Sequence, residues 1–164
     1  MIFGKVHIHT TEVPFHLVDA GHAVYHANYL ILLDQARSQA LQQAGYSAVD
    51  LWNDGFALAL LENTSRYHRP ATYGQKISIF TTMLAATGTT LKVQQVIVPS
   101  TTLTNDLLST GFFSPITPVP DEKMRLHTAA LTLVCVKLQP LRPTRIPERL
   151  VKTLNLTAAK PSSH

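Results

Sequence analysis

The chain has 164 residues, 45% of them hydrophobic and 15% charged, with 14 Lys and Arg against 10 Asp and Glu. That length is most simply one domain, and the composition excludes both a disordered chain and a membrane-spanning one. The formal net charge of +4 is dispersed, with no basic run interleaved with aromatics, which argues against a nucleic-acid surface.

The first residues, "MIFGKVHIHTTEV", contain no apolar run long enough for a signal peptide. The runs "LALL" and "LVCV" fall far short of the ~20 residues that a membrane-crossing helix needs. The lone Cys135 cannot form an internal disulfide. A cytoplasmic protein is the expectation. The segment "KVHIHTTEVPF" alternates polarity and is rich in β-branched residues, so it reads as a strand that Pro14 ends or sets at an edge.

After the stretch "VDAGHAVYHANYL" the period changes. Tyr29, Leu33, Ala36, Ala40 and Ala44 recur at steps of three and four, with Leu30 and Leu41 beside them. Asp34, Arg37, Gln39 and Gln42 fall mostly on the other side, which predicts an amphipathic helix of about five turns stopped by Gly45. A short connection, "SAVDLWNDG", has room for one helical turn. The period then drops to two through "FALALLENTSRYHRP", "QKISIFTTMLAAT", "TTLKVQQVIV" and "LHTAALTLVCVKL", four strands with turns at "ATYGQ" and "TGTT". A strand, a long helix and four strands without alternating helices predict an α+β fold, an antiparallel sheet packed on one helix.

Residues 99–125 interrupt that scheme with four prolines and no clear period. A loop that long is uncommon unless it covers something or is disordered. Leu107, Leu108, Phe112, Phe113 and Ile116 would form an exposed apolar patch in a free linker, so the segment is expected to fold back over a sheet edge or a neighbouring subunit's site. The expected organisation is therefore a single domain over 1–156 with an inserted loop at 99–125, followed by a flexible tail at 157–164.

"VDAGHAVYHANYL" supports three readings. Asp19-Ala20-Gly21 suits a simple turn, with Asp for local hydrogen bonds and Gly for a positive φ. His22 and His26, with His7, His9 and His16 upstream, suggest a metal site, but no HExxH pattern is present, and His7 and His9 equally suit a wet strand face. The third reading sets the Asp19 carboxylate against a helix N-terminus. Backbone N–H groups there lack intrahelical partners and can bind an oxyanion, while the carboxylate attacks the same carbonyl carbon or activates water.

The run "DAGHAVYHANYLILLDQAR" resembles the signature of the 4-hydroxybenzoyl-CoA thioesterase-like hot-dog proteins, most of all the branch of short acyl-CoA thioesterases encoded with the Tol–Pal system. Asp19, Ala20, Gly21, Val24, Tyr25, His26, Ala27 and Tyr29 match, and Ala36-Arg37 follow in step. "YHRPATYGQKISI", "GTTLKVQQVIV" and "LVCVKLQPLRPTRIPERL" resemble three further blocks of the family in the same order.

The resemblance implies a hot-dog fold, a sheet wrapped around the long helix, and a homodimer or homotetramer with active sites at subunit interfaces. It implies an acyl-CoA thioesterase, a hydrolase needing no cofactor and no metal. Asp19 would be nucleophile or general base, and the backbone N–H of His26 the oxyanion donor. Tyr25 is counted with these two as a candidate catalytic residue. His22, Tyr29, Lys92, Arg142 and Arg145 are the candidate substrate-binding residues. Packing in the core or at an interface is the simpler role for Tyr25, Tyr29 and Tyr67, as is burial for Cys135. The chain departs from the family pattern at Leu17 and Val18, where an acidic residue and a Thr are usual, at His22 in place of a second Gly, and at Asp34 in place of Glu. Two alternatives remain at this level: hydrolysis of acyl-carrier-protein thioesters, and a non-catalytic acyl-CoA binding module.

Overall fold

A computed structural model describes residues 6–107, 111–113 and 119–154. Its strands are β1 (Val6–Glu12), β2 (Phe56–Tyr67), β3 (Lys76–Thr87), β4 (Thr90–Pro99), β5 (Gly111–Phe113), β6 (His127–Leu138) and β7 (Leu141–Pro143). Its helices are α1 (Tyr29–Ala44), α2 (Ala48–Asn53) and α3 (Glu148–Thr153). The strands form one antiparallel sheet in the order β2-β6-β4-β3-β1-β5, with β7 paired to the C-terminal end of β6. The five longer strands and the long helix follow the sequence periods closely.

Helix α1 lies across one face of this sheet. Tyr29, Leu32, Leu33, Ala36, Ala40 and Leu41 are buried against Ile77, Ile79, Leu91, Val93, Ile97, Leu131 and Leu133, the inward positions of β3, β4 and β6. Gly45 ends the helix in the left-handed region (φ 90°), with its N–H on the Gln42 carbonyl and the Tyr46 N–H on the Leu41 carbonyl, a Schellman closure. Ser47 caps α2 through a reciprocal box with Asp50.

The polar side expected for α1 needs one correction. Arg37 is buried, and its guanidinium donates to Gln95 Oε1 and Asp34 Oδ1, both at 2.8 Å. Gln95, on β4, donates in turn to the Leu33 carbonyl and to Thr81 Oγ1. A charged side chain is tolerated under the helix because Gln95 of the facing strand and Asp34 of its own helix supply its acceptors. The wet face suggested for His7 and His9 is also overturned. His7 is buried, with Nε2 3.0 Å from Gln43 Oε1 of α1, and His9 is half-buried. Burial lowers the pKa of both.

The segment after β4 folds back onto the opposite face of the sheet. Val6, Ile8, Phe80, Val96 and Val98 point away from α1 and form a second apolar cluster, against which Leu103, Leu107 and Val119 pack. β5 adds to the free edge of β1. Ser100 closes the same face with a hydroxyl 2.9 Å from that of Ser78. Leu108, Ile116 and the tail at 157–164 lie outside the described residues, as do the side chains of Phe112 and Phe113.

Candidate active site

Residues 17–25 double back as a tight hairpin. Val18 bridges Val24, and the Tyr25 N–H donates to the Leu17 carbonyl at 3.0 Å. At its tip the Asp19 N–H reaches the Ala23 carbonyl at 2.9 Å and the His22 N–H reaches the Asp19 carbonyl at 3.0 Å. Asp19 Oδ1 accepts from the Gly21 N–H at 2.8 Å, the local bond that favours Asp in such turns. The positive φ expected at Gly21 belongs instead to His22 (φ 62°), a conformation uncommon for a residue with a Cβ. Gly21 serves close approach: a Cβ there would stand 3.1 Å from Asp19 Oδ1. The hairpin is tied down by Val24 N–H on the Ala71 carbonyl and by a bridge from Ala23 to Thr72.

From Tyr25 the chain turns into helix. A 3-10 turn, His26–Asn28, runs directly into α1, and the Asn28 N–H bonds the Tyr25 carbonyl at 2.8 Å. The N–H groups of His26 and Ala27 open this run, so they have no intrahelical acceptor. Asn28 Nδ2 donates to the Leu17 carbonyl at 3.0 Å, which fixes the helix start beside the hairpin base. Asp19, Tyr25 and His26 are all exposed, and the His26 ring lies 4.2 Å from that of Tyr25.

A cleft of about 280 Å³ opens beside His26, lined by Val24, Tyr29, Tyr67 and Pro70 and by His26, His68 and Arg69. Tyr67 spans its mouth, donating its hydroxyl to the His26 carbonyl at 3.0 Å. Tyr29 is buried, accepts the Ala71 N–H at 3.0 Å and stacks on His127 at 4.8 Å. Burial raises the Tyr29 pKa, and the nearby Tyr67 adds to the effect. His127 is fully buried, and neither ring nitrogen has a hydrogen-bond partner among the described residues. Burial first, then the neighbouring His68, pulls its pKa down to about 4, so it is neutral at pH 7.

The remaining sequence candidates lie elsewhere in the same chain. His22 sits at the hairpin tip, exposed. Lys92 pairs with Thr132 on β6, whereas Ile97 pairs with His127 beside the cleft, a separation of about 16 Å along the strand. Arg142 pairs with Lys137, ten residues from His127, or about 33 Å away. Arg145 follows it, exposed. A second cavity of about 350 Å³ lies between α1, α2 and the sheet, bordered by Asp34, Arg37, Trp52, Leu58, Leu60 and Met83 among others. No group of three or more His, Cys, Asp or Glu side chains among the described residues is placed to hold a metal ion. Cys135 is buried, and burial raises its thiol pKa. Sequence reasoning missed His68, Arg69 and His127. His68 and Arg69 fall at unspecified positions of the "YHRPA" block and His127 in a strand read for periodicity, and only pairing of β2 with β6 brings them under the helix start.

A sequence model of the thioesterase-like superfamily matches residues 13–154. The acyl-CoA thioester hydrolase YbgC of Escherichia coli O157:H7 is 26% identical over 140 residues, 85% of this chain and 89% of that protein. Among solved structures, Slr0204, a 1,4-dihydroxy-2-naphthoyl-CoA thioesterase from Synechocystis, superposes with a TM-score of 0.71 at 17% identity, covering 91% of this chain and 95% of that one. A hypothetical protein (AQ1494) from Aquifex aeolicus gives 0.70 at 19% identity, covering 90% and 98%. The sheet wrapped on α1 is the hot-dog fold that the sequence resemblance implied.

Proposed function

The chain belongs to the thioesterase-like superfamily, and on that premise we propose that it hydrolyses acyl-CoA thioesters to a carboxylic acid and free CoA. One observation carries the reading. The Leu17 carbonyl accepts from both Tyr25 N–H and Asn28 Nδ2, which locks a carboxylate-bearing hairpin to the first free N–H groups of the helical run. A thioester carbonyl against the His26 N–H has the developing oxyanion at the positive end of the run. Asp19 then attacks the carbonyl carbon, or removes a proton from an attacking water. The C–S bond breaks, CoA leaves as thiolate and takes up a proton, and water's oxygen ends in the acid. Thiol release from a panel of acyl-CoAs is the direct test. Asp19→Asn keeps the turn hydrogen bond and removes the charge, so kcat should fall about a hundredfold or more while stability holds. His26→Ala keeps the backbone donor and should cost less. Near-normal turnover in Asp19→Asn sinks this assignment.

The active unit in this reading is a homodimer, or a tetramer built from it. Among the described residues the twelve-residue β2 pairs only with β6, and its outer edge has Leu60, Leu61 and Tyr67 exposed, a surface that invites pairing with another strand. Arg142 stands about 33 Å along the sheet from His127 beside its own chain's cleft. A second copy paired antiparallel across β2 would carry its Arg142 and Arg145 toward this cleft, where they could meet CoA phosphates.

A further inference from the structure

We propose that Arg69 is the anchor for an anionic group of the substrate, a specificity-determining contact within the cleft beside His26. The inference rests on the thioester hydrolase reading and adds a residue that the sequence motifs do not single out.

The segment Arg66–Pro70 leaves β2 at the cleft mouth, and its side chains are almost all committed. Tyr67 holds the His26 carbonyl. Arg66 stands 3.6 Å from Glu122, in the strap that returns from the outer face of the sheet. His68 has Nε2 3.0 Å from Thr128 Oγ1 and Nδ1 4.0 Å from Glu122 Oε1. Glu122, the nearby carboxylate, is thus paired with Arg66. Arg69 has no ion pair or side-chain hydrogen bond among the described residues, although its backbone is fixed by an N–H bond to the Leu126 carbonyl at 3.2 Å. Pro70 follows and restricts its backbone further.

An exposed arginine alone is a solvated surface charge. Arg69 differs in lining the cleft that also contains His26 and Tyr29, and no carboxylate among the described residues shares that lining. Among the described residues it is the only Lys or Arg there. A guanidinium fork suits bidentate pairing with a phosphate or a carboxylate. Two parts of an acyl-CoA can supply that group: the phosphates of the carrier, or a carboxylate at the far end of the acyl chain.

The test uses four thioesters with the full chain: butyryl-CoA, glutaryl-CoA, and the butyryl and glutaryl thioesters of N-acetylcysteamine, which lack phosphates. Dissociation constants are measured in an Asp19→Asn background, with and without Arg69→Ala. The substitution should weaken binding of at least one anionic compound about tenfold or more, with butyryl-N-acetylcysteamine changed less than about twofold. Losses confined to both CoA esters identify the phosphates, and losses confined to both glutaryl esters identify the acyl carboxylate. Arg69→Lys should recover part of the loss. The proposal is overturned if no compound weakens, or if all four weaken alike. Thiol release by the unmodified chain is scored separately: its absence defeats the hydrolase reading, whereas the binding series still decides the anchor.

Discussion

His127 shows how much one buried side chain governs. Its ring fits between Tyr29 and Tyr67, at 4.8 and 4.9 Å, but its nitrogens have no partner among the described residues. The folded-state pKa of about 4 lies below the unfolded value of about 6.5, so the unfolded chain binds more protons between these limits. The contribution is therefore complete above pH 6.5 and is lost as pH falls towards 4, by roughly 3 kcal/mol at the low end. His127→Phe keeps the stacking and removes both unpaired nitrogens. Urea unfolding from pH 7.5 to 4.5 should show the variant more stable than the parent by about 1 kcal/mol at neutral pH, with a shallower acid slope. His7 and His9, lowered in the same direction, retain a residual slope. A slope as steep as the parent's would show that His127 is not the group titrating.

At the scale of elements, the segment between β4 and β6 is what sets this chain apart from a bare helix-on-sheet arrangement. It covers Val6, Ile8, Phe80, Val96 and Val98, each 2% exposed or less, and gives β1 an added strand. Fully burying such side chains stabilises by about 1.5–3 kcal/mol each. Replacing Thr101–Lys123 by a short Gly-containing turn uncovers part of that cluster and removes Glu122 from Arg66 and His68. The melting temperature should fall and the variant should self-associate through the exposed patch. If melting temperature, oligomeric state and acyl-CoA preference are all unchanged, the segment is a dispensable loop. Apolar residues among the prolines signalled a cover. Which face they cover follows only from strand register, because Phe80 and Ile79 are neighbours in sequence and point to opposite sides.

The whole molecule poses the question of what completes the cleft. The long edge of β2 and the separation of Arg142 from His127 beside the cleft both suit an active unit of two chains. Leu61→Asp puts a charge on that edge, where Leu61 is 60% exposed. Light scattering should then report the monomer mass, and thiol release should fall with it in a folded protein. An unchanged mass would remove β2 from the interface. A complementation experiment addresses the division of labour. Chains carrying Asp19→Asn, co-expressed with chains carrying Arg142→Ala and Arg145→Ala, should form mixed dimers with one intact site and recover activity that neither parent shows. Failure of mixed dimers to exceed both parents would place carboxylate and arginines in the same chain's site, or remove the arginines from it.

Much of this architecture was legible beforehand. Periods of two and of three to four residues report which positions face a common side, so β1, α1, β2, β3, β4 and β6 could be read from local pattern. Spacing also joined Asp19, His26 and the helix start, because they are neighbours in the chain. Local pattern has no access to contacts between distant segments. The burial of Arg37 depends on Gln95, that of His7 on Gln43, and the cleft on Tyr67, His68 and Arg69 arriving from β2. The turn is the finest case: Asp and Gly announced it, yet the hairpin closure from Asp19 to Ala23 sets the left-handed residue at His22. Sequence determined which elements form, since that is decided by neighbouring side chains and backbone preferences. Tertiary structure decided which polar groups are paired, buried or left free, since those depend on partners that only packing brings together.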